Sequence, residues 1–215
     1  MIIVGYPGIG KSSLAGHSIY TNHGEIVCID LESSNFNNTK GNKIKDWYKY
    51  YVELVIDLSS QGFIVFVSSH KDVIEELVKR ETIGIYPHHT TIIIPNPDYK
   101  TAWVDKLQHR LTRTITKNIQ EYEKNHRAYH HVKDYFDEDM IQLFDYCGKY
   151  NINMVQIDPY NYRLEDIVKD VYDKATRSPL NIEKTIDGLE KEKQSAKQVP
   201  RAPIADKKIN WDFIE

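Results

Sequence analysis

Gly5-Tyr6-Pro7-Gly8-Ile9-Gly10-Lys11-Ser12 fills the pattern G-x-x-x-x-G-K-[ST] at every fixed position. The apolar run Met1-Ile2-Ile3-Val4 before it reads as a strand, and Ser13-Leu14-Ala15-Gly16-His17-Ser18-Ile19-Tyr20 after it is compatible with a helix. Strand, glycine loop and helix is the setting in which this octet binds phosphate. Its glycines permit backbone angles closed to other residues, so successive N–H groups can converge on one anion. A helix starting there would add its positive end. Lys11 supplies a point charge for the outer phosphates and Ser12 a hydroxyl for Mg²⁺. The alternative is a glycine turn carrying an ordinary surface lysine.

Outward from this loop, short β-branched runs recur. They are Ile2–Val4, Glu25–Ile29 ending at Asp30, Phe63–Val67 ending at Ser68-Ser69-His70, Thr91–Ile94 closed by Pro95, and Met154–Ile157 ending at Asp158-Pro159. Near-continuous apolar strands alternating with helical stretches imply a mostly parallel sheet covered on both faces. Ligands of such sheets bind at the carboxyl ends of the strands. That rule selects the phosphate loop, Asp30–Phe36, Ser68–Lys71 and the segment after Pro95. Asp46–Ser60 reads as a helix with Trp47, Tyr51, Leu54, Val55 and Leu58 on one stripe, and Lys71–Arg80 as a shorter one. Gly84–His89 reads as a turn.

The stretch from about Asp98 to Tyr150 is too long for a simple crossover and reads as two helices with a bend near His126–His131. Trp103, Leu107, Leu111 and Ile115 form an apolar seam at four-residue spacing. Lys106, Arg110, Arg113 and Lys117 fall on the opposite side, within about 60° of one another. Such a face either bends over bound phosphates or is a solvated positive stripe. Beyond Lys174 the chain changes character: Glu183–Lys208, rich in Lys, Glu, Gln, Ala and Pro, reads as a linker or a loose helix followed by an extended piece, with an apolar end, Ile209–Glu215, that docks on the body or on a second protomer. The organisation expected is a domain over 1–175, with a helical insertion at about 98–150, and a linker and tail over 176–215.

With 28 Lys and Arg against 31 Asp and Glu, the net charge of −3 gives no global signal for nucleic acid or a membrane surface. Nucleic acid is therefore not the favoured partner. The two cysteines, Cys28 and Cys147, read as reduced buried thiols of a cytoplasmic protein. No apolar run reaches membrane-spanning length, and a strand beginning at the first residues leaves no stretch that reads as a signal peptide. His88, His89, His126, His130 and His131 have no Cys or carboxylate completing a zinc spacing and read as polar surface.

The octet opening the chain, the strand–helix units, the acidic pair Asp30-Leu31-Glu32 and the arginine-bearing segment after the fourth strand resemble the P-loop kinase family over about residues 1–175. Within it the chain is similar to nucleoside monophosphate kinases, including small bacteriophage enzymes labelled adenylate-kinase-like or deoxynucleotide kinases. The N-K-x-D motif of switch GTPases is absent from the sequence. The resemblance implies a three-layer fold with a parallel five-stranded sheet of order 2-3-1-4-5, a helical lid after the fourth strand, and transfer of the ATP γ-phosphate to a small-molecule nucleotide. By position, Gly5, Gly8, Ile9, Gly10, Lys11, Ser12 and Ser13 would cradle ATP and Mg²⁺. Arg110 and Arg113 would be lid arginines stabilising the transferring phosphoryl. Tyr160 or Arg163 would stack on adenine, unless Arg163 serves only as a charge beside Glu165 and Asp166.

The chain departs from adenylate kinases after its third strand, where Ser69-His70-Lys71 stands in place of an arginine. The Asp30-x-Glu32 pair instead resembles P-loop kinases whose acceptor is a hydroxyl, such as shikimate and polynucleotide kinases. An alcohol gains from a carboxylate that takes its proton. Asp30 would then be that base or the acceptor of a magnesium-bound water, with Ser12 and Asp30 on the metal. Glu32, Phe36 and His70 would face the acceptor, with Trp47 and Tyr48 as further stacking candidates. The bland alternatives are turn or capping roles for the acids and core roles for the aromatics. Three functions stay open: a nucleoside monophosphate kinase, a kinase of a hydroxyl acceptor, and an ATP-binding regulatory module without transfer.

Overall fold

The computed structural model describes residues 1–39, 42–82, 90–115 and 118–176. The chain divides into two compact units, Met1–Ala175 and Thr176–Glu215, and the elements below belong to the first, its last helix ending at the boundary. His88, His89, Lys117 and the apolar tail with its proposed dimer role lie outside the described residues.

The strands are β1 (Ile2–Gly5), β2 (Ser18–Thr21), β3 (Gly24–Asp30), β4 (Asn38–Thr39), β5 (Asn42–Lys43), β6 (Ile64–Ser68), β7 (Thr90–Pro95) and β8 (Asn153–Ile157). The helices are α1 (Lys11–Leu14), α2 (Ser34–Asn37), α3 (Trp47–Ser60), α4 (Lys71–Thr82), α5 (Lys100–Thr114), α6 (Ile119–Tyr150) and α7 (Leu164–Thr176). The fold is α/β. Its main sheet runs β2-β3-β6-β1-β7-β8, while β4 and β5 pair separately. β3, β6, β1, β7 and β8 are parallel neighbours and β2 is antiparallel to β3. β1 lies at the centre of the parallel set, Ile3 level with Phe66 on one side and Thr91 on the other. Its residues are buried, as are Ile64–Val67 and Ile92–Ile94, which is why these segments read as uninterrupted apolar runs.

Two expectations are corrected here. The wholly parallel sheet of five strands is a mixed sheet of six, so an order written for five does not describe the whole of it. The sixth strand, β2, also displaces the helix expected over residues 13–20. Gly16 takes φ +76°, which ends α1 after one turn. The chain then turns back, and the Gly16 amide donates to the Cys28 carbonyl while the Cys28 amide donates to His17. Ser18–Thr21 carries a buried Ile19 and extends along β3 as an edge. Asp173 on α7 pins the hairpin turn, accepting from the Asn22 backbone at 3.0 Å and its side chain at 2.6 Å.

The helical insertion also differs from expectation. α6 runs unbroken through His126–His131, and the break falls between α5 and α6 instead. Asn118 caps α6, its side chain accepting from the Gln120 amide at 2.8 Å. His126 and His130 lie one turn apart on α6 with ring centroids 4.3 Å apart. α5 packs along α6. Along α5 the expected seam is only half used: Trp103 and Leu107 are buried, Leu111 is half-buried and Ile115 is exposed. Among the described residues no helix is long and apolar enough to cross a membrane.

Candidate functional site

The parallel strands bring their carboxyl ends to one edge, and the loop Tyr6–Gly10 springs from the central strand there. Gly8 and Gly10 hold φ of +91° and +101°. Among the described residues the amides of Gly8, Gly10, Lys11 and Ser12 donate no hydrogen bond within the chain. The Ser13 hydroxyl turns back to the Gly10 carbonyl at 2.6 Å. With α1 a single turn, an anion here would be met by these four amides rather than by a helix dipole.

The outer side of the loop is braced. Trp103 Nε1 donates to the Pro7 carbonyl at 3.0 Å, and the Tyr162 hydroxyl donates to Ile9 at 3.0 Å. Lys106 donates to the Tyr162 hydroxyl at 2.7 Å, with its ammonium 4.3 Å from the Trp103 ring centre. Leu107 packs so closely that a Cβ on Gly8 would lie 2.7 Å from its Cδ2. Tyr6 is buried and donates to Asp139 Oδ2 at 2.8 Å; His131 Nε2 meets the same oxygen at 2.9 Å. α5, α6 and the segment between β8 and α7 thus all grip the loop from behind. Lys106, expected on a phosphate-facing stripe, belongs to this brace.

The inner side carries the charges. Lys11 lies across Gly5, its ammonium donating to the Gly5 carbonyl at 2.7 Å. Burial pushes this ammonium down from the usual lysine value, against the upward pull of Asp30 and Glu32. Ser12 Oγ donates to Asp30 Oδ2 at 3.0 Å. The other oxygen, Asp30 Oδ1, is buried with no hydrogen-bond partner. Burial raises the Asp30 carboxyl above its ordinary range and Glu32 adds to this, while Lys11 opposes it. A buried, orphaned carboxylate oxygen next to a serine hydroxyl suits a hard cation, which takes oxygen ligands and fills its shell with phosphate oxygens and water. Among the described residues no group of three His, Cys, Asp or Glu side chains gathers for a metal, so any Mg²⁺ here would rest on Ser12 and Asp30.

Lys124 on α6 was not singled out in the sequence. It pairs with Glu32 and lies 3.5 Å from Ser12 Oγ. Nothing in the linear sequence marks it, because Glu32 is 92 residues away. Arg110 is near enough to act on both the Lys11 and Lys106 ammonium groups. Arg113, one turn on, is exposed, with no described contact to the loop.

Beyond Glu32, at the ends of β3 and β6, the aromatics gather. The Tyr51 hydroxyl donates to the Leu31 carbonyl at 2.6 Å and accepts from the Ser68 amide, tying the ends of β3 and β6. Phe36 stands edge-on to Tyr51 at 5.2 Å, and Trp47 contacts both Tyr51 and His70. Trp47 is buried, Phe36 and Tyr48 are half-buried, and His70 is exposed. The His70 Nδ1 accepts from the Asp72 amide at the start of α4. Arg163 is exposed and faces Glu165 and Asp166, the local pairing left open in the sequence. Tyr160 is exposed and edge-on to Tyr99. Cys28 and Cys147 are free thiols, each raised by burial to about 11. Comparison of the chain with family models, with curated proteins and with solved structures finds no match.

Proposed function

We propose that the chain is an ATP-dependent phosphotransferase of nucleotide-kinase type, with a nucleoside or deoxynucleoside monophosphate as acceptor. One observation carries the reading: Asp30 leaves a buried oxygen without a partner beside Ser12, at the mouth of a loop with four amides that donate to none of the described residues. The finer fold reading is a three-layer P-loop NTPase fold with a helical lid. Its support is the succession β3-β6-β1-β7-β8, which by chain position is second, third, first, fourth and fifth among the parallel strands.

In this reading the loop amides and Lys11 hold the phosphate tail, and Ser12 and Asp30 hold Mg²⁺, which when bound supplies charge neutralisation on the phosphate oxygens. Arg110 approaches from α5, where it stabilises charge that develops during transfer. Arg113 joins it only if α5 shifts. Phe36, Trp47 and His70 form the wall against which an acceptor base packs. The acceptor lies beyond Glu32, away from the braced side.

A second reading, a hydroxyl acceptor, is favoured by the raised proton affinity of Asp30, which fits a group that takes a proton. Near this edge Lys71 and Arg80 also already face Glu75 and Glu76, not the acceptor space.

The test is a Mg·ATP titration by calorimetry, followed by an ATP-consumption screen over nucleoside monophosphates, nucleosides and DNA ends. Saturable binding lost in Lys11→Ala, with turnover confined to one or two monophosphates, is the expected result. No binding to the wild-type chain refutes the proposal. Asp30→Asn separates the acceptors. A hydroxyl kinase loses about 10²–10⁴ in turnover with ATP binding intact. A monophosphate kinase instead needs more Mg²⁺.

A further inference from the structure

The geometry points to Lys124 as a triphosphate-binding residue delivered by α6, which Glu32 holds in reserve and surrenders when the phosphate tail and its metal enter. This inference rests on the reading of the loop as a triphosphate cradle and adds to it a residue and an exchange.

Three observations combine. Lys124 is paired with Glu32 while standing 3.5 Å from Ser12 Oγ, the same hydroxyl that meets Asp30 at 3.0 Å. A divalent cation on Ser12 and an ammonium on the same oxygen repel one another, so loading the site displaces Lys124 from it. The backbone beneath Lys124 is fixed: the adjacent Asn125 is buried and donates to Thr114 Oγ1 on α5 at 3.3 Å. The helix therefore stays and the side chain moves, which four rotatable methylenes allow. The nearest new partner for a displaced ammonium is the polyanion that displaced its neighbour.

The exchange has a consequence for the acceptor side. Glu32 is half-exposed, and Lys124 is its ion-pair partner. Once released it becomes a free carboxylate facing the acceptor. The chain then presents its acceptor-side acid only after the donor has bound, which sets the order of binding.

The experiment is calorimetric titration of the full chain with Mg²⁺ and a non-hydrolysable ATP analogue carrying an imido bridge. Four forms are compared: wild type, Lys124→Met, Glu32→Gln and the double variant. Loss of a charge-assisted contact should weaken binding about 10-fold in Lys124→Met, and Lys124→Arg should restore most of it. Glu32→Gln should tighten binding about 3- to 10-fold, because Lys124 no longer has to be taken from it. In the Lys124→Met background the same Glu32→Gln change should alter affinity by less than about 2-fold.

Equal tightening in both backgrounds means Glu32 acts only as a nearby negative charge, and overturns the exchange. Unchanged affinity in Lys124→Met removes Lys124 from the triphosphate and overturns it too. An analogue that fails to bind the wild type overturns both this inference and the cradle, whereas binding without coupling overturns the inference alone. Both residues are partly exposed; Lys124→Gln and Glu32→Ala give the same cycle should either first variant not fold.

Discussion

The two sides of the glycine loop, Tyr6–Gly10, are built on opposite principles. Behind it, carbonyls meet donors and apolar surface is filled: Trp103 on Pro7, Tyr162 on Ile9, Leu107 against Gly8. In front, four amides donate to none of the described residues, one carboxylate oxygen is orphaned, and two ammonium groups rest on the Gly5 carbonyl and on Glu32. A loop whose glycines could adopt many shapes is fixed by its rear contacts, so that its front can remain unsatisfied at small conformational cost. The undonated amides and the orphaned oxygen are where a ligand gains most, because there its interactions replace none that the protein already makes.

The largest expected effect comes from removing the rear support. Trp103→Ala deletes a fully buried indole and its hydrogen bond, and should lower stability by about 3–5 kcal/mol in denaturant melts. Little loss would mean that the brace is not part of the core.

A smaller change strikes the contact between the two sides. Gly8→Ala combines a positive φ with a Cβ 2.7 Å from Leu107, and should cost about 1–3 kcal/mol. It should also weaken Mg·ATP binding, since any shift of the loop turns its amides away. Lost stability with unchanged binding would separate the brace from the cradle.

Tyr162→Phe removes only the hydroxyl that links Lys106 to the Ile9 carbonyl. It should cost about 1 kcal/mol and leave the ring packed against Trp103.

The remaining effect is a pH dependence. Burial, helped by Arg110, lowers the Lys106 ammonium to about 8. The unfolded chain then holds this proton more tightly than the folded one, so stability rises with pH between about 8 and 10.4. Lys106→Met should lack that rise, seen as a difference between the two melting curves across this window. Parallel curves would place Lys106 in water, outside the brace.

Legibility followed the range of the interactions. Of the five parallel strands, β1, β6 and β7 could be read because burial on both faces demands unbroken β-branched runs, whereas β3 and β8 are partly exposed and declared themselves only by their short apolar, β-branched stretches. β2 could not, since Ser18–Thr21 follows a stretch compatible with helix and only the positive φ at Gly16, with β3 waiting alongside, turns it into an edge strand. The α5–α6 boundary did leave a trace: Asn118 followed by Glu121 is a start signal for a helix, but the histidines further on drew the bend to the wrong place. In the site, Lys11, Ser12, Asp30 and Glu32 were legible from the octet and from the strand end. Lys106 and Lys124 were not, because the first is turned by Trp103 and Tyr162 and the second is carried in by a helix that begins far along the chain.

By itself the sequence determined where the glycine loop stands, which segments form the parallel strands, and which acids close the neighbouring strand, since these follow from residue type and spacing within a few positions. Only the tertiary structure decided which cations reach the loop and which support it from behind. A lysine on a helix face reads the same toward a ligand or toward an aromatic ring, and the packing of α5, α6 and the segment before α7 around the loop is what distinguishes them.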